Sequence, residues 1–136
     1  MNIDNYPFIR ISPDDIPRAA LPLTVINPHT EKKVKTYGII DTGADECAFP
    51  AEYAYILGHN LQEGYPKSID TGNGETTAYS HTVSIRIYDF TIENALIDFL
   101  PNLNIPLLGV KSFLSNFHLT IDYPKCLFSL KYTRKK

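Results

Sequence analysis

The sequence has few of the residues that mark a secreted, disulfide-rich or metal-binding protein. Its 136 residues include two cysteines, one methionine and no tryptophan. Two cysteines do not make a disulfide framework, so we expect Cys47 and Cys126 to be reduced and buried thiols. The four histidines are scattered and none has a second ligand at zinc-site spacing. We therefore expect neither a metal nor a cofactor.

Two further features are missing: a surplus of positive charge and a long apolar run. Thirteen basic and fifteen acidic residues give a net charge of −2, which does not favour a nucleic-acid partner. No apolar run approaches the roughly 20 residues of a membrane span. The N-terminus lacks the basic and apolar regions of a signal peptide. The sequence thus predicts a cytoplasmic protein that binds neither membranes nor nucleic acids.

What the sequence does contain is typical of a single globular domain over residues 1–136, with 43% apolar and 21% charged residues. Many short apolar or alternating runs are separated by turns rich in Pro, Gly and Asn, which predicts an all-β fold, a small closed barrel. The predicted strands cover residues 6–12, 19–26, 34–40, 69–73, 75–87, 90–92, 95–100, 105–108, 119–122 and 126–132. Two short helices are predicted over 50–57 and 110–117.

One stretch, residues 37–45, combines a buried strand with a polar turn. Two isoleucines precede Asp41, which falls where the strand ends and the chain turns. Gly43 has no Cβ, so another backbone can approach it closely. The hydroxyl of Thr42 can bond a neighbouring main chain. The pattern indicates one carboxylate held rigidly at the edge of a cavity.

A second Asp-Thr-Gly occurs at residues 70–72, so the tripeptide alone is weak evidence. The two copies are twenty-nine residues apart, which is too short for a repeated lobe, and their flanking residues differ. Asp41 follows an apolar pair, whereas Asp70 precedes the Gly-Asn-Gly of a predicted hairpin turn. We therefore interpret Asp70 as a loop acid and Asp41 as the functional one.

Residues 41–45, Asp-Thr-Gly-Ala-Asp after two apolar residues, resemble the catalytic turn of the retroviral, single-domain aspartic proteases. Two later segments follow in the order found in the retropepsin family. Residues 71–75 resemble the glycine-rich tip of the flap, and residues 107–109, Leu-Leu-Gly, resemble the strand that leads into a short helix and a closing strand. The resemblance covers residues 20–131 and is nearest to bacterial members of the family.

The resemblance implies an acid-protease fold with one lobe per chain, a flap hairpin, and aspartic endopeptidase activity on polypeptides. Because the chain offers one credible catalytic turn, the second carboxylate would come from a homodimer related by a two-fold axis. Asp41 and its twin would then activate a water molecule, Thr42 would brace the partner strand, and Gly43 would admit the substrate backbone. The substrate-binding residues that the resemblance implies are Ala44, Asp45, Ala48, Gly72, Asn73, Gly74 and Leu107.

One position departs from the family pattern. Family members often carry an arginine after the Leu-Leu-Gly glycine, paired with the acid that corresponds to Asp45, but this chain has Val110 there. Lys111 and Arg86 are the alternative cations that the sequence offers. The departure favours a second hypothesis, a catalytically weak or inactive module for dimerisation or peptide binding. A metal-dependent hydrolase is disfavoured because the sequence lacks a set of ligands.

Overall fold

The computed structural model describes residues 1–71 and 74–133. Within these residues the chain forms ten strands, one short α-helix and two 3₁₀ turns. The strands are β1 (Asn2–Pro7), β2 (Ala20–Ile26), β3 (Lys33–Ile40), β4 (Cys47–Pro50), β5 (Tyr65–Thr71), β6 (Gly74–Ile87), β7 (Phe90–Leu100), β8 (Leu107–Leu108), β9 (Phe117–Asp122) and β10 (Leu127–Tyr132). The helix α1 covers Ala51–Ile56, and the 3₁₀ turns cover Leu61–Glu63 and Leu114–Asn116.

The strands form two sheets. The larger has the order β2-β3-β8-β4-β7-β6-β5, and an additional pairing of β2 with β6 makes it ring-like. The smaller has the order β1-β10-β9. Most ladders are antiparallel, while β3 runs parallel to β8 and β4 runs parallel to β7. The all-β prediction is confirmed; where a small closed barrel was predicted, the large sheet is ring-like.

A single apolar cluster joins both sheets. Phe49, Ile85 and Phe99 of the large sheet are fully buried, and so are Leu130 and, nearly, Phe128 of the small one. Burying a side chain of this size stabilises the fold by roughly 1.5–3 kcal/mol. The core therefore fixes the strands whose ends carry the polar turn at residues 41–45.

The first predicted strand, residues 6–12, is wrong in its position. The strand lies at Asn2–Pro7, where it pairs with β10, and beyond it only an isolated bridge joins Ile9 to Arg18. The partner strand lies at the far end of the chain, so local alternation did not reveal the register. The strand predictions over 90–92 and 95–100 correspond to one continuous strand, β7.

The helix predicted over residues 110–117 is also wrong. Turns occupy this segment, with a 3₁₀ turn at Leu114–Asn116. Polar side chains compete here for the main chain: Ser115 Oγ donates to the Lys111 carbonyl at 2.9 Å, and Asn116 Nδ2 donates to the Phe113 carbonyl at 3.0 Å. The apolar spacing remains meaningful, since Phe113 and Leu114 are both buried.

No helix in residues 1–71 and 74–133 is long and apolar enough to cross a membrane. Both cysteines are free, as predicted for reduced thiols, but only one is buried. Cys47 is fully buried, whereas Cys126 is exposed in the turn before β10, so the prediction of two buried thiols is wrong for Cys126.

Candidate active site

Asp41 lies directly after β3 and is half-buried. Its main-chain N–H donates to the carbonyl of Leu108 at 3.1 Å, which ties the turn to the end of β8. Its carboxylate Oδ1 accepts the N–H of Gly43 at 3.1 Å. The next two residues, Thr42 and Gly43, are exposed. The carboxylate is therefore held by main-chain contacts while the turn beside it faces outward.

Three strands meet behind this turn. β3 pairs with β8 through Ile39–Leu107 and Ile40–Leu108, and Leu107 also pairs with Ala48 of β4. Gly38 makes the close packing possible, because a Cβ there would lie 2.7 Å from Leu23 Cδ2 and 2.8 Å from Leu108 Cγ. The crossing of these strands fixes the position of Asp41 from two sides.

The segment after β8 folds back over the turn. The N–H groups of Val110 and Lys111 donate to the carbonyls of Ala44 and Asp45, both at 2.9 Å. The Gly109 N–H donates to the sulfur of Cys47 at 3.3 Å, and burial raises the pKa of this thiol to about 11. A neutral thiol at neutral pH follows, so Cys47 acts here as a buried hydrogen-bond acceptor rather than as a nucleophile.

Gly109→Ala is expected to destabilise the fold, whereas Gly43→Ala is not. A Cβ on Gly109 would lie 2.8 Å from the Ala44 carbonyl oxygen and closer still to that of Glu46, both rigid backbone atoms. We expect a loss of about 1–3 kcal/mol or more in the free energy of unfolding, measured by urea denaturation. A Cβ on Gly43 would meet only Asp41 Oδ1, at 3.5 Å. Equal stability of the two variants would contradict this description of the turn.

Three of the predicted substrate-binding residues that lie outside the hairpin are close together. Ala48 is buried and pairs with the half-buried Leu107, and Ala44 is half-buried within the turn. The predicted flap is present as the hairpin of β5 and β6, which pair from Tyr65–Ser80 to Thr71–Gly74. Gly74 begins β6 with a φ of 104°, while Gly72 and Asn73 lie outside the described residues. Glycine accommodates this left-handed backbone without strain.

Asp45 is exposed, and neither alternative cation pairs with it among the described residues. Lys111 Nζ instead contacts Glu46 Oε1 at 2.9 Å, and this hydrogen bond raises the pKa of the lysine. Arg86 lies elsewhere, in a cleft of about 430 Å³ that it lines with Lys35 and Tyr88. The network around Asp45 therefore differs from the one that the family pattern implies.

Sequence reasoning missed a buried polar cluster next to the site. Asp98 on β7 is 4% exposed, and its Oδ1 accepts the hydroxyl of Ser80 at 2.6 Å. Lys67 Nζ contacts both oxygens of Asp98, at 3.1 and 3.3 Å, and lies 3.8 Å from Glu46 Oε1. A lone acid inside the apolar run 95–100 was the signal that could have revealed this cluster.

The second Asp-Thr-Gly has a different setting. Asp70 is an exposed residue on β5, opposite Glu75 near the tip of the hairpin. In the part of the chain that the structure describes, β5 pairs with β6 and no ladder joins it to β3. Asp70 thus lacks the main-chain support that Asp41 receives from β8.

A sequence model of one family, described as gag-polyprotein putative aspartyl protease, matches residues 29–116, more than half of the chain. Among solved structures, the chain is similar to the crystal structure of a retropepsin-like aspartic protease from Rickettsia conorii. The TM-score is 0.71 and the identity 29%, over 94% of this chain and 98% of that one.

Two viral structures also match. EIAV protease complexed with the inhibitor HBY-793 gives a TM-score of 0.48 and 16% identity over 74% of this chain and 88% of that one. The solution structure of simian foamy virus (mac) protease gives a TM-score of 0.44 and 19% identity over 67% of this chain and 89% of that one. No curated protein matches the chain. On the family match and the retropepsin-like fold, the chain belongs to the gag-polyprotein putative aspartyl protease family.

Proposed function

We propose that the protein is an aspartic endopeptidase whose active site forms when two copies pair across a two-fold axis. The observation that carries the proposal is the setting of Asp41, a half-buried carboxylate fixed by the ends of β3 and β8. The adjoining Thr42 and Gly43 are exposed in the single chain. A surface that pairs with a second copy has to be exposed in this way before pairing. Family membership supports the same chemistry.

Peptide hydrolysis requires an activated water and a proton for the leaving amine. Two carboxyl groups suffice when they are close enough to share one proton, since like charges at about 3 Å cannot both ionise, a pattern known from aspartic proteases in general. In the proposed dimer, one Asp41 acts as the base and the other as the acid. The main-chain hydrogen bonds to Asp41 hold each carboxylate in place before substrate arrives.

The remaining site residues have distinct proposed roles. Gly43 leaves room for the substrate backbone, because a Cβ there would meet only Asp41 itself. Ala44 and Asp45 lie beside the bound main chain. Ala48 and Leu107, which are paired neighbours, form an apolar side-chain pocket. The hairpin that includes Gly72, Asn73 and Gly74 closes over the peptide and excludes water.

A second candidate function is a dimerisation or peptide-binding module with weak or no turnover. The specific observation in its favour is Asp45, which is exposed and makes no ion pair with a described residue, beside Val110, which is 40% exposed. An unsupported acid would leave the substrate main chain less firmly held. The two functions differ in one measurable respect, since only the enzyme releases peptide fragments.

The experiment is a cleavage assay on a mixed peptide library, with and without a pepstatin-type inhibitor, over a range of pH. We expect inhibitor-sensitive cleavage and a bell-shaped profile of kcat/KM centred on the acid side, because the shared-proton pair works only when singly protonated. A chelator should have no effect. A rate that continues to rise through pH 9 would overturn the mechanism, and binding without cleavage at any pH would favour the second function.

A further inference from the structure

Two side chains of the flap hairpin contact the buried Asp98, namely the ammonium of Lys67 on β5 and the hydroxyl of Ser80 on β6. Lys67 lies on β5, whereas its two carboxylate partners lie on β7 (Asp98) and just before β4 (Glu46). Glu46 follows the catalytic turn directly in the sequence. A single side chain therefore bridges the hairpin, the floor of the sheet and the segment that leaves the active site.

At its base the hairpin is attached to the body by the β6–β7 ladder, which begins at Tyr79. Among the described residues, the first part of β6, up to Ala78, pairs with β5 and with no other strand. This two-stranded arm would be marginally stable by itself. Lys67 lies opposite Ala78, where the arm leaves the sheet. The ion pairs are thus placed at the position that sets the direction of the arm.

The setting strengthens these contacts. The side chain of Asp98 is 6% exposed and that of Glu46 is 20% exposed, whereas that of Lys67 is 40% exposed, so a partly solvated ammonium faces two partly desolvated carboxylates. Ser80 Oγ donates to Asp98 at 2.6 Å and fixes the orientation of that carboxylate. The pair on Glu46 is weaker, at 3.8 Å, and Lys111 shares the same oxygen at 2.9 Å. Asp98 is accordingly the main partner.

We propose that Lys67 is a positioning residue, which sets the orientation of the flap hairpin relative to β7 and to the segment after the Asp41 turn through its ion pairs with Asp98 and Glu46. The inference rests on the proposed function for its catalytic consequence, but the attachment itself does not depend on cleavage. Lys67 contacts no reacting atom. Its effect is on the orientation of the arm, and hence on how well the hairpin closes on a peptide.

The first test measures hydrogen exchange at the amides of residues 65–80 in the protein without substrate. We expect Lys67→Met to accelerate exchange in the arm about tenfold, because a charge-assisted contact at its base is lost. Lys67→Arg should retain most of the protection. Lys111→Met is the matched control, since it removes the other cation of Glu46 without touching the hairpin, and it should leave exchange in the arm unchanged.

Lys67→Met also leaves Asp98 buried without its cation, which is expected to destabilise the fold as a whole. The double variant Lys67→Met/Asp98→Asn removes the unpaired charge, so its arm should exchange faster while its core amides stay protected. The proposal would be overturned if the arm of the double variant exchanged at the wild-type rate. Equal acceleration in the Lys111→Met control would also overturn it.

The second test measures the kinetic constants on a peptide that the wild-type protein cleaves. Lys67→Met should raise KM about tenfold with a smaller change in kcat, and Lys67→Arg should restore KM. An unchanged KM would overturn the catalytic part of the inference. If the wild-type protein cleaves no peptide, the proposed function fails, while the exchange measurements still decide whether Lys67 anchors the hairpin.

Discussion

Replacing Asp41 by asparagine is expected to abolish peptide cleavage while the fold survives. The amide has nearly the same shape as the carboxylate, and its oxygen can still accept the N–H of Gly43. It cannot ionise or share a proton, so general acid–base catalysis is lost and kcat/KM should fall by at least about 10³-fold. The rate is measured on a peptide from the library, and thermal unfolding confirms that the variant is folded.

Asp70→Asn is the matched control, because it makes the same chemical change in the second Asp-Thr-Gly. Asp70 is exposed on the edge strand β5 and lacks the main-chain support of β8. Most of the wild-type rate should therefore remain. A folded Asp41→Asn variant that still cleaves would contradict the proposed mechanism, and so would an inactive Asp70→Asn variant with an intact hairpin.

Specific activity is expected to fall when the protein is diluted below the Kd of its dimer. One Asp41 per chain cannot supply both an acid and a base, so a separated copy has no shared proton. The decline should follow the loss of dimer by mass action, which sedimentation measures across the same dilution series. A chain that sediments as a monomer and retains full specific activity would mean that both acids belong to one copy.

A mixing experiment tests the same requirement at constant total concentration. With a ninefold excess of Asp41→Asn chains that exchange freely, about one tenth of the wild-type chains find a wild-type partner, so their activity should fall about tenfold. Heterodimers have one carboxylate and one amide. An equal excess of Asp70→Asn chains is the control and should not poison the wild type. Activity that is insensitive to both variants would exclude a shared site.

The surface near the turn is consistent with such pairing. Val110 is 40% exposed and is hydrogen-bonded through its N–H to Ala44, one residue from the exposed Gly43. An apolar side chain, in place of the family's arginine, is better suited to a contact with a second copy than to a solvated surface. The departure at residue 110 is thus compatible with the proposed enzyme as well as with the inactive module.

The sequence predicted the turn and its strands well because their signals are local. An apolar pair before Asp41 and a glycine after it are enough to indicate a strand end and a tight turn, and the Leu107-Leu108 run marks the strand that supports it. The hairpin of β5 and β6 was also predictable, since its two paired strands are separated by two residues in the sequence. In these cases the interacting residues are neighbours in sequence or belong to one motif.

The rest depended on contacts that no local pattern shows. β1 takes its register from β10, and the helix predicted over 110–117 gives way to side-chain hydrogen bonds from residues such as Ser115 and Asn116. The partners of Lys67 come from β7 and from the segment just before β4, and the partner on β7 is thirty-one residues away in the sequence. The acid at Asp98 stands inside an apolar run, but no local pattern points to the lysine that neutralises it.

The pairing of β1 with β10 has a consequence for the order in which the protein folds. Asn2 lies opposite Lys131, so the small sheet joins the two ends of the described chain. At a synthesis rate of about 5–20 residues per second, β1 waits roughly 6–26 seconds on the ribosome before β10 has been made. During that wait the local hairpins of the ring can already form, since their strands are adjacent in sequence. The small sheet should therefore be the last part of the molecule to assemble, and Ile3 should stay exposed to other chains until it does.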